Sequence, residues 1–310
     1  MTGVVLAAGK GSRIAQLPTM LPKAVLPVLG EPIIFGQLRT MVSLGIKKCY
    51  VVVGHLGYAV VREIERLPNP GIEIEYIEQE QALGIAHSVG RLEPHINGPF
   101  MLFLGDIYLR APKIAEMLRV FSQGNIHGVL GGIKESRTEI IRRNFCIVAD
   151  ESGRVTQVLE KPSQPISDLK GVGVYVFDTN IFDAIKRTPR TAMRNEYEIT
   201  HSIQILIDNG HDVRVSLSIE KDLNLTYPED LLLVNLQLLH ERGQQNLLCD
   251  GSTVGRGTEL RNTVVGMGAS IGNDSRLHDC VVFGGVTIAD GEKLKRAIVT
   301  DAGVYKVRPM

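Results

Sequence analysis

Neither charge is in surplus: the 310 residues hold 34 Lys and Arg against 34 Asp and Glu. Without a positive field, no surface for nucleic acid or an anionic membrane is expected, and any phosphate affinity has to be local. No apolar run approaches the roughly 18 residues of a membrane span, and the N-terminus lacks a signal-peptide pattern. A cytoplasmic protein is therefore expected. Cysteine is scarce and scattered: Cys49, Cys146, Cys249 and Cys280 form no C-x-x-C pair, which predicts reduced, mostly buried thiols over disulfides or zinc ligands. No Ser/His or His/Asp constellation suggests a covalent nucleophile. The two common phosphate motifs also fail, because the P-loop spacing is wrong and Ile14 stands where a dinucleotide fingerprint needs its third glycine.

What is present starts at Val4-Val5-Leu6, a short apolar run that fits a buried strand. It leads through Ala7-Ala8 into Gly9-Lys10-Gly11-Ser12-Arg13. Two glycines allow a tight turn that brings backbone N–H groups to an anion, and Arg13 offers a guanidinium suited to phosphate. Lys23 follows Leu21-Pro22, after a stretch whose prolines rule out one regular helix. A glycine turn with two separated cations suits a polyphosphate, although such a turn alone can be a plain connection.

Downstream, strand and helix patterns alternate. Helical segments are expected near 34–44 and 58–66, and strands at 49–53, 72–77, 99–104, 129–133, 145–149, 155–159 and 171–177. This order predicts an α/β fold, with a Rossmann-like, mostly parallel mixed sheet and ligands at the carboxyl ends of its strands. A helix is expected to open in the stretch Arg194–His201 and run to about Asn209, capped by Gly210, and another to run from Pro228 to Gly243.

The residues Gly9-Lys10-Gly11-Ser12-Arg13 with Pro22-Lys23 resemble the G-x-G-[ST]-R…P-K signature of the sugar-1-phosphate nucleotidyltransferases, the sugar-nucleotide pyrophosphorylases. Within that family the chain is most similar to the long-form glucose-1-phosphate thymidylyltransferases, and the likeness runs through almost all of it. The resemblance implies a nucleotidyltransferase fold and transfer of a nucleotidyl group to a sugar-1-phosphate. By this likeness Leu6, Ala8, Gly9, Gly11, Ser12, Arg13 and Lys23 would bind the nucleotide. Gln79 and Gly84, spaced as in the family's base-recognition segment, would meet the base, with glutamine leaning toward thymine or uracil. Taken alone, that segment is a polar loop feeding a helix.

Asp106, after Gly105 at a strand's carboxyl end, would hold Mg2+, although Gly-Asp is also a common turn pair. The resemblance assigns the sugar phosphate to Cys146, Glu160, Lys161, Gly173 and Arg194, whereas E-K-P unaided reads as a charged strand end. Asn224 stands where a second metal-binding carboxylate is usual. Ile107 replaces the family's asparagine, Cys146 its glycine and His201 its aspartate, which leaves the acceptor open.

From Leu247 the texture changes. Aliphatic residues recur at Val254, Leu260, Val265, Ile271, Leu277, Phe283, Ile288 and Leu294, mostly six apart, often followed by glycine. Such a repeat cannot bury its face alone and implies stacked coils, similar to the left-handed β-helix of hexapeptide repeats. The expected division is a catalytic domain over 1–244 and a β-helix over 245–310, the latter mediating a homo-oligomer.

The implied chemistry is attack of a sugar-phosphate oxygen on the α-phosphorus of a nucleoside triphosphate, with Arg13, Lys23, Asp106 and Lys161 as its catalytic charges. The favoured substrates are dTTP or UTP and glucose-1-phosphate. The alternatives are CTP, ATP or GTP, another phosphorylated acceptor (a different sugar, a cyclitol or a phosphonate), or a nucleotide-sugar-binding regulatory subunit without turnover.

Overall fold

Runs rich in β-branched and aromatic residues make the centre of the main sheet, because side chains of that shape pack well on a pleated surface. In the computed structural model, which describes residues 1–9, 11, 13–192 and 195–308, they become Thr2–Ala7, Lys48–Val53, Phe100–Leu104 and Leu169–Phe177. By internal contacts the chain forms two units, one of Met1–Lys10, Gln37–Gly57 and Pro68–Asp222, the other of Gly11–Gly36, Tyr58–Leu67 and Leu223–Met310.

In the first unit the strand order is Val155–Glu160, Phe145–Ala149, Leu169–Phe177, Phe100–Leu104, Thr2–Ala7, Lys48–Val53, Glu73–Glu78. The last four are mutually parallel, and Leu169–Phe177 runs antiparallel to Phe100–Leu104. Ile126–Lys134 and Asp212–Ser216 extend the sheet from Leu169–Phe177. The result is the expected mixed sheet, parallel in the half built first. Val4, Val5, Val51, Leu102 and Val174 are fully buried at its centre, as strands covered on both faces require. Glu73–Glu78 is an edge strand, and its alternating acids remain outward.

In the second unit, Asn246–Leu248, Glu259–Val265, Arg276–Val282 and Lys293–Thr300 stack in parallel, as do Thr253–Val254, Ser270–Ile271 and Thr287–Ile288. Register partners lie 17 residues apart, as do the stacked side chains of Asn262 and Asp279. Three corners per coil turn through positive φ: Gly251, Gly268 and Gly285 at one, Gly257, Asp274 and Gly291 at the next, Asn262, Asp279 and Arg296 at the third. This is the hexapeptide β-helix anticipated from the spacing, with one correction: the residue in register with Val265 is Val282, not its buried neighbour Phe283. The helix Pro228–Glu241 packs along the coils. Its N-terminus is capped by Asp230, whose carboxylate accepts the N–H groups of Thr226 and Tyr227 at 2.8 and 2.7 Å.

Candidate active site

Adjacent parallel strands end together, so the residues after them line one edge of the sheet. Gly105 donates its N–H to the Leu6 carbonyl at 2.9 Å, and Gln79 donates to that of Val53 at 2.7 Å. A Cβ built on Gly54 would lie 3.1 Å from the Ala8 carbonyl oxygen and 3.2 Å from that of Gln79. Leu6, Ala8, Gln79 and Gly105-Asp106 thus gather at one carboxyl edge, with Gly54 permitting their approach. Gly9 follows Ala8 and is exposed.

Gln79, expected to meet the base, is held by partners within the protein. The carboxamide is buried, at 4 % exposure, and its hydrogen-bonding edge is used inside the protein. Nε2 donates to the Gln81 carbonyl at 2.7 Å and to His87 Nδ1 at 3.1 Å, while Oε1 accepts from the Ser88 hydroxyl at 2.6 Å. The Gln81 carbonyl fixes which end of the amide is nitrogen, so His87 Nδ1 must be an acceptor and its imidazole neutral. Burial, and then Arg91 and Arg190, hold the His87 pKa below its ordinary value.

Gly84 also proves to be a packing glycine: its φ is 112°, and a Cβ would fall 2.5 Å from the Tyr197 carbonyl oxygen. That backbone pins the segment on both sides, with Tyr197 N–H donating to Leu83 at 2.7 Å and Ala86 N–H donating to Tyr197 at 3.0 Å. Tyr197 thus occupies the side of Gly84 that a Cβ would take.

Asp106 sits, partly exposed, in the turn between Phe100–Leu104 and Ile107–Arg110. That turn is clamped by Gln37 of the helix Ile33–Ser43, whose Nε2 donates to the carbonyls of Leu104 at 2.9 Å and Ile107 at 3.0 Å. Gln37 is 3 % exposed, and its Oε1 has no partner among the described residues. Ile107 is buried, and a Cβ on Gly173 would meet it at 2.5 Å and Leu104 at 2.7 Å. The glycine assigned to the sugar is thus covered, on the side a Cβ would take, by the residue that replaces the family's asparagine.

Glu160 and Lys161 end the strand Val155–Glu160. Lys161 adopts φ 42°, costly for a side-chain-bearing residue, and its N–H donates to the Asn144 carbonyl at 2.8 Å. Its ammonium lies 3.1 Å from Glu160, which also accepts from the buried Thr200 hydroxyl at 3.2 Å. Burial, and then the Glu160 and Glu198 carboxylates, push the Tyr175 phenol upward in pKa. Cys146 is fully buried, and its thiol donates to the Ser167 carbonyl at 3.6 Å, so the atoms it adds are taken up inside the protein. Beside it in register is Lys170, in a buried ion pair with Asp222, whose carboxyl is pushed up in pKa by desolvation against the lysine's pull. His201 Nδ1 is buried without a partner among the described residues, and nothing in the structure explains that substitution. Lys10, Ser12 and Arg194 lie outside the described residues.

The second unit holds Gly11, Arg13, Lys23 and Asn224. A Cβ on Gly11 would lie 3.2 Å from Lys23 Cγ, so the lysine stem crosses the glycine. Lys23 opens a short 3-10 turn, Arg13 is exposed, and Asn224 is the exposed last residue of the strand Lys221–Asn224. Gln37, Ser88, Thr200 and Tyr197 escaped the sequence reading. Gln37 shares its helix with Thr40 and Ser43, so its polarity alone did not single it out.

Comparison with known proteins agrees with this architecture. Residues 2–223 match the family described as Nucleotidyl transferase, and residues 238–306 match the GlmU-like C-terminal hexapeptide family. A UTP–glucose-1-phosphate uridylyltransferase of Haloferax volcanii is 33 % identical over 74 % of this chain and 93 % of its own. A glucose-1-phosphate thymidylyltransferase of Streptomyces antibioticus is 34 % identical over 78 % of this chain and 67 % of its own. The crystal structure of a UDP-glucose pyrophosphorylase complexed with UDP-glucose superposes with a TM-score of 0.69 at 19 % identity, over 78 % of this chain and 99 % of that one. With a parallel-sheet edge of this kind and a match over most of its length, the chain belongs to the nucleotidyl transferase family of enzymes.

Proposed function

We propose that the enzyme transfers a nucleotidyl group from dTTP or UTP to a sugar-1-phosphate such as glucose-1-phosphate, releasing pyrophosphate. The observation that carries this reading is the Glu160–Lys161 pair, a carboxylate for hydroxyls beside an ammonium for phosphate, held by Thr200 and by a strained Lys161 backbone. Relatives named for uridylyl and thymidylyl transfer support a pyrimidine nucleotide.

The second pKa of a phosphate monoester is about 6, so the attacking oxygen is ionised at neutral pH and needs no base. The obstacle is the approach of two polyanions, and catalysis is positioning plus charge neutralisation. Arg13 and Lys23 bind the triphosphate through the turn of Gly9, Gly11 and Ser12. Lys161 and Arg194 take the sugar phosphate, Glu160 the sugar hydroxyls, and the backbones of Cys146 and Gly173 border the sugar. Asp106 and Asn224 offer hard oxygens that fit Mg2+, and Gln37 holds the Asp106 turn for that purpose. When bound, the metal supplies charge stabilisation to the phosphates. Gln79 shapes the base side of the site through His87 and Ser88, and Gly84 keeps Leu83–Ala86 against Tyr197.

Ile107 packed on Gly173 favours a second reading, the same transfer to an acceptor other than glucose-1-phosphate. The domain limits of 1–244 and 245–310, and self-association through the β-helix, complete the proposal. Pyrophosphate release with Mg2+, for glucose-1-phosphate against each of dTTP, UTP, CTP, ATP and GTP, is expected to be fastest with dTTP or UTP. Arg13→Ala and Asp106→Ala should each lower that rate by about 100-fold or more. Turnover close to that of the parent enzyme in either variant refutes the role given to that residue.

A further inference from the structure

Both triphosphate cations, Arg13 and Lys23, belong to a segment that among its described residues has no strand or helix before Lys23. Its own hydrogen bonds are short-range turns, such as Ile14 N–H to Gly11 at 3.0 Å and Leu17 N–H to Ile14 at 2.9 Å. A segment of that kind loses backbone entropy when it orders around a ligand, unless something else holds it beforehand.

We propose that the C-terminal β-helix and the helix before it position the triphosphate-binding segment, with Thr300 as the positioning residue. The inference rests on the reading that Arg13 and Lys23 bind the triphosphate. Thr300 ends the coil strand Lys293–Thr300 and is 4 % exposed. Its hydroxyl donates to the carbonyl of Pro18, midway between the two cations, and accepts the Ala302 N–H at 3.2 Å. The carbonyl of Gly303 is a second acceptor within its reach, at 3.1 Å. Pro18 has no N–H, so its carbonyl is the one backbone handle it offers.

A second anchor holds the chain just past Lys23. Asn235, fully buried in the helix Pro228–Glu241, donates Nδ2 to the carbonyls of Pro27 at 3.2 Å and Leu231 at 2.8 Å. Its Oδ1 accepts the Leu29 N–H at 2.7 Å. A Cβ on Gly30 would fall 2.1 Å from Cys249 Sγ, so the turn after Leu29 lies against the first coil. Residues Gly11–Gly36 accordingly group with Leu223–Met310 and not with the main sheet. The β-helix is then part of the nucleotide site's support, and not solely a means of association.

The test uses the full chain with Thr300→Val, which keeps the shape and removes the hydroxyl, and Thr300→Ser, which restores it. Thr300→Val is expected to raise the dTTP or UTP KM about 3- to 10-fold, the worth of one buried hydrogen bond, and to leave the sugar-1-phosphate KM within about 2-fold. Amide hydrogen exchange across residues 13–26 should quicken, and Thr300→Ser should reverse both effects. Unchanged exchange across 13–26 overturns the inference. Quicker exchange with an unchanged nucleotide KM is resolved by Arg13→Ala. If that variant also leaves the KM unchanged, the triphosphate reading is wrong and the anchoring stands. If it raises the KM, the positioning role of Thr300 is wrong.

Discussion

At the scale of single residues, the site depends on polar groups whose partners are fixed by protein before any substrate arrives. Gln37 bonds the two carbonyls that flank Gly105-Asp106. Replacing it with methionine keeps the volume but leaves two acceptors without their donor. Gln37→Met should therefore weaken Mn2+ binding by about 10-fold or more, as loss of a supporting hydrogen bond does at metal sites. Electron paramagnetic resonance of free Mn2+ reads this directly, and an unaltered affinity would remove Gln37 from the metal site. His87 gives a pH signature with a definite sign. Its pKa is depressed in the folded state, so its stabilising contribution is complete above the ordinary imidazole value of about 6.5. The contribution declines as pH falls from there toward the folded pKa, because protonation turns the acceptor of Gln79 into a second donor. The melting temperature of the parent chain should fall more steeply than that of His87→Gln as pH goes from about 7 to about 5. Parallel curves would mean that His87 does not hold Gln79.

At the scale of elements, the β-helix shows how a repeat fixes each corner. Asn262 and Asp279 occupy the third corner at φ 47° and 52°, where short polar side chains are tolerated, and Asn262 donates to Asp279 at 3.0 Å. Arg296 completes that corner at φ 50°, and its Nε is buried without a partner among the described residues. Arg296→Asn should continue the ladder and relieve both faults, stabilising the chain by about 0.5–1 kcal/mol. Thermal unfolding that does not rise would show that the arginine stem contributes more packing than the turn costs. Gly255, Gly266 and Gly272 have a related cause, because a Cβ on any of them would come within 2.6 Å of the next coil's backbone. The glycines after the aliphatic stripe were visible in the sequence, and the backbone approach that demands them was not.

At the scale of the whole molecule, the first coil presents open edges in Asn246–Leu248 and Thr253–Val254, with Leu248 52 % and Val254 37 % exposed. Unpaired edges with apolar side chains favour association between copies. Sedimentation velocity should give a mass above 34.0 kDa for the parent chain, and Leu248→Lys with Val254→Lys should shift it to the monomer. A monomeric parent would end the assembly proposal. The sequence by itself determined most strands of the main sheet, the acid after Phe100–Leu104 and the coil period, but not the strands Ile107–Arg110 and Asp212–Ser216 or the helices Ala115–Phe121 and Asn180–Lys186. Those signals are local, set by residues within a few positions of each other. The tertiary structure decided where Gln79 spends its amide, what fills the space beside Gly84, which helix clamps Asp106, and that Thr300 meets Pro18. Partners separated by 282 residues, as Thr300 and Pro18 are, or by 206, as Leu29 and Asn235 are, leave no mark on periodicity or spacing. They form only when packing brings buried polar groups together and burial makes an unmet hydrogen bond costly.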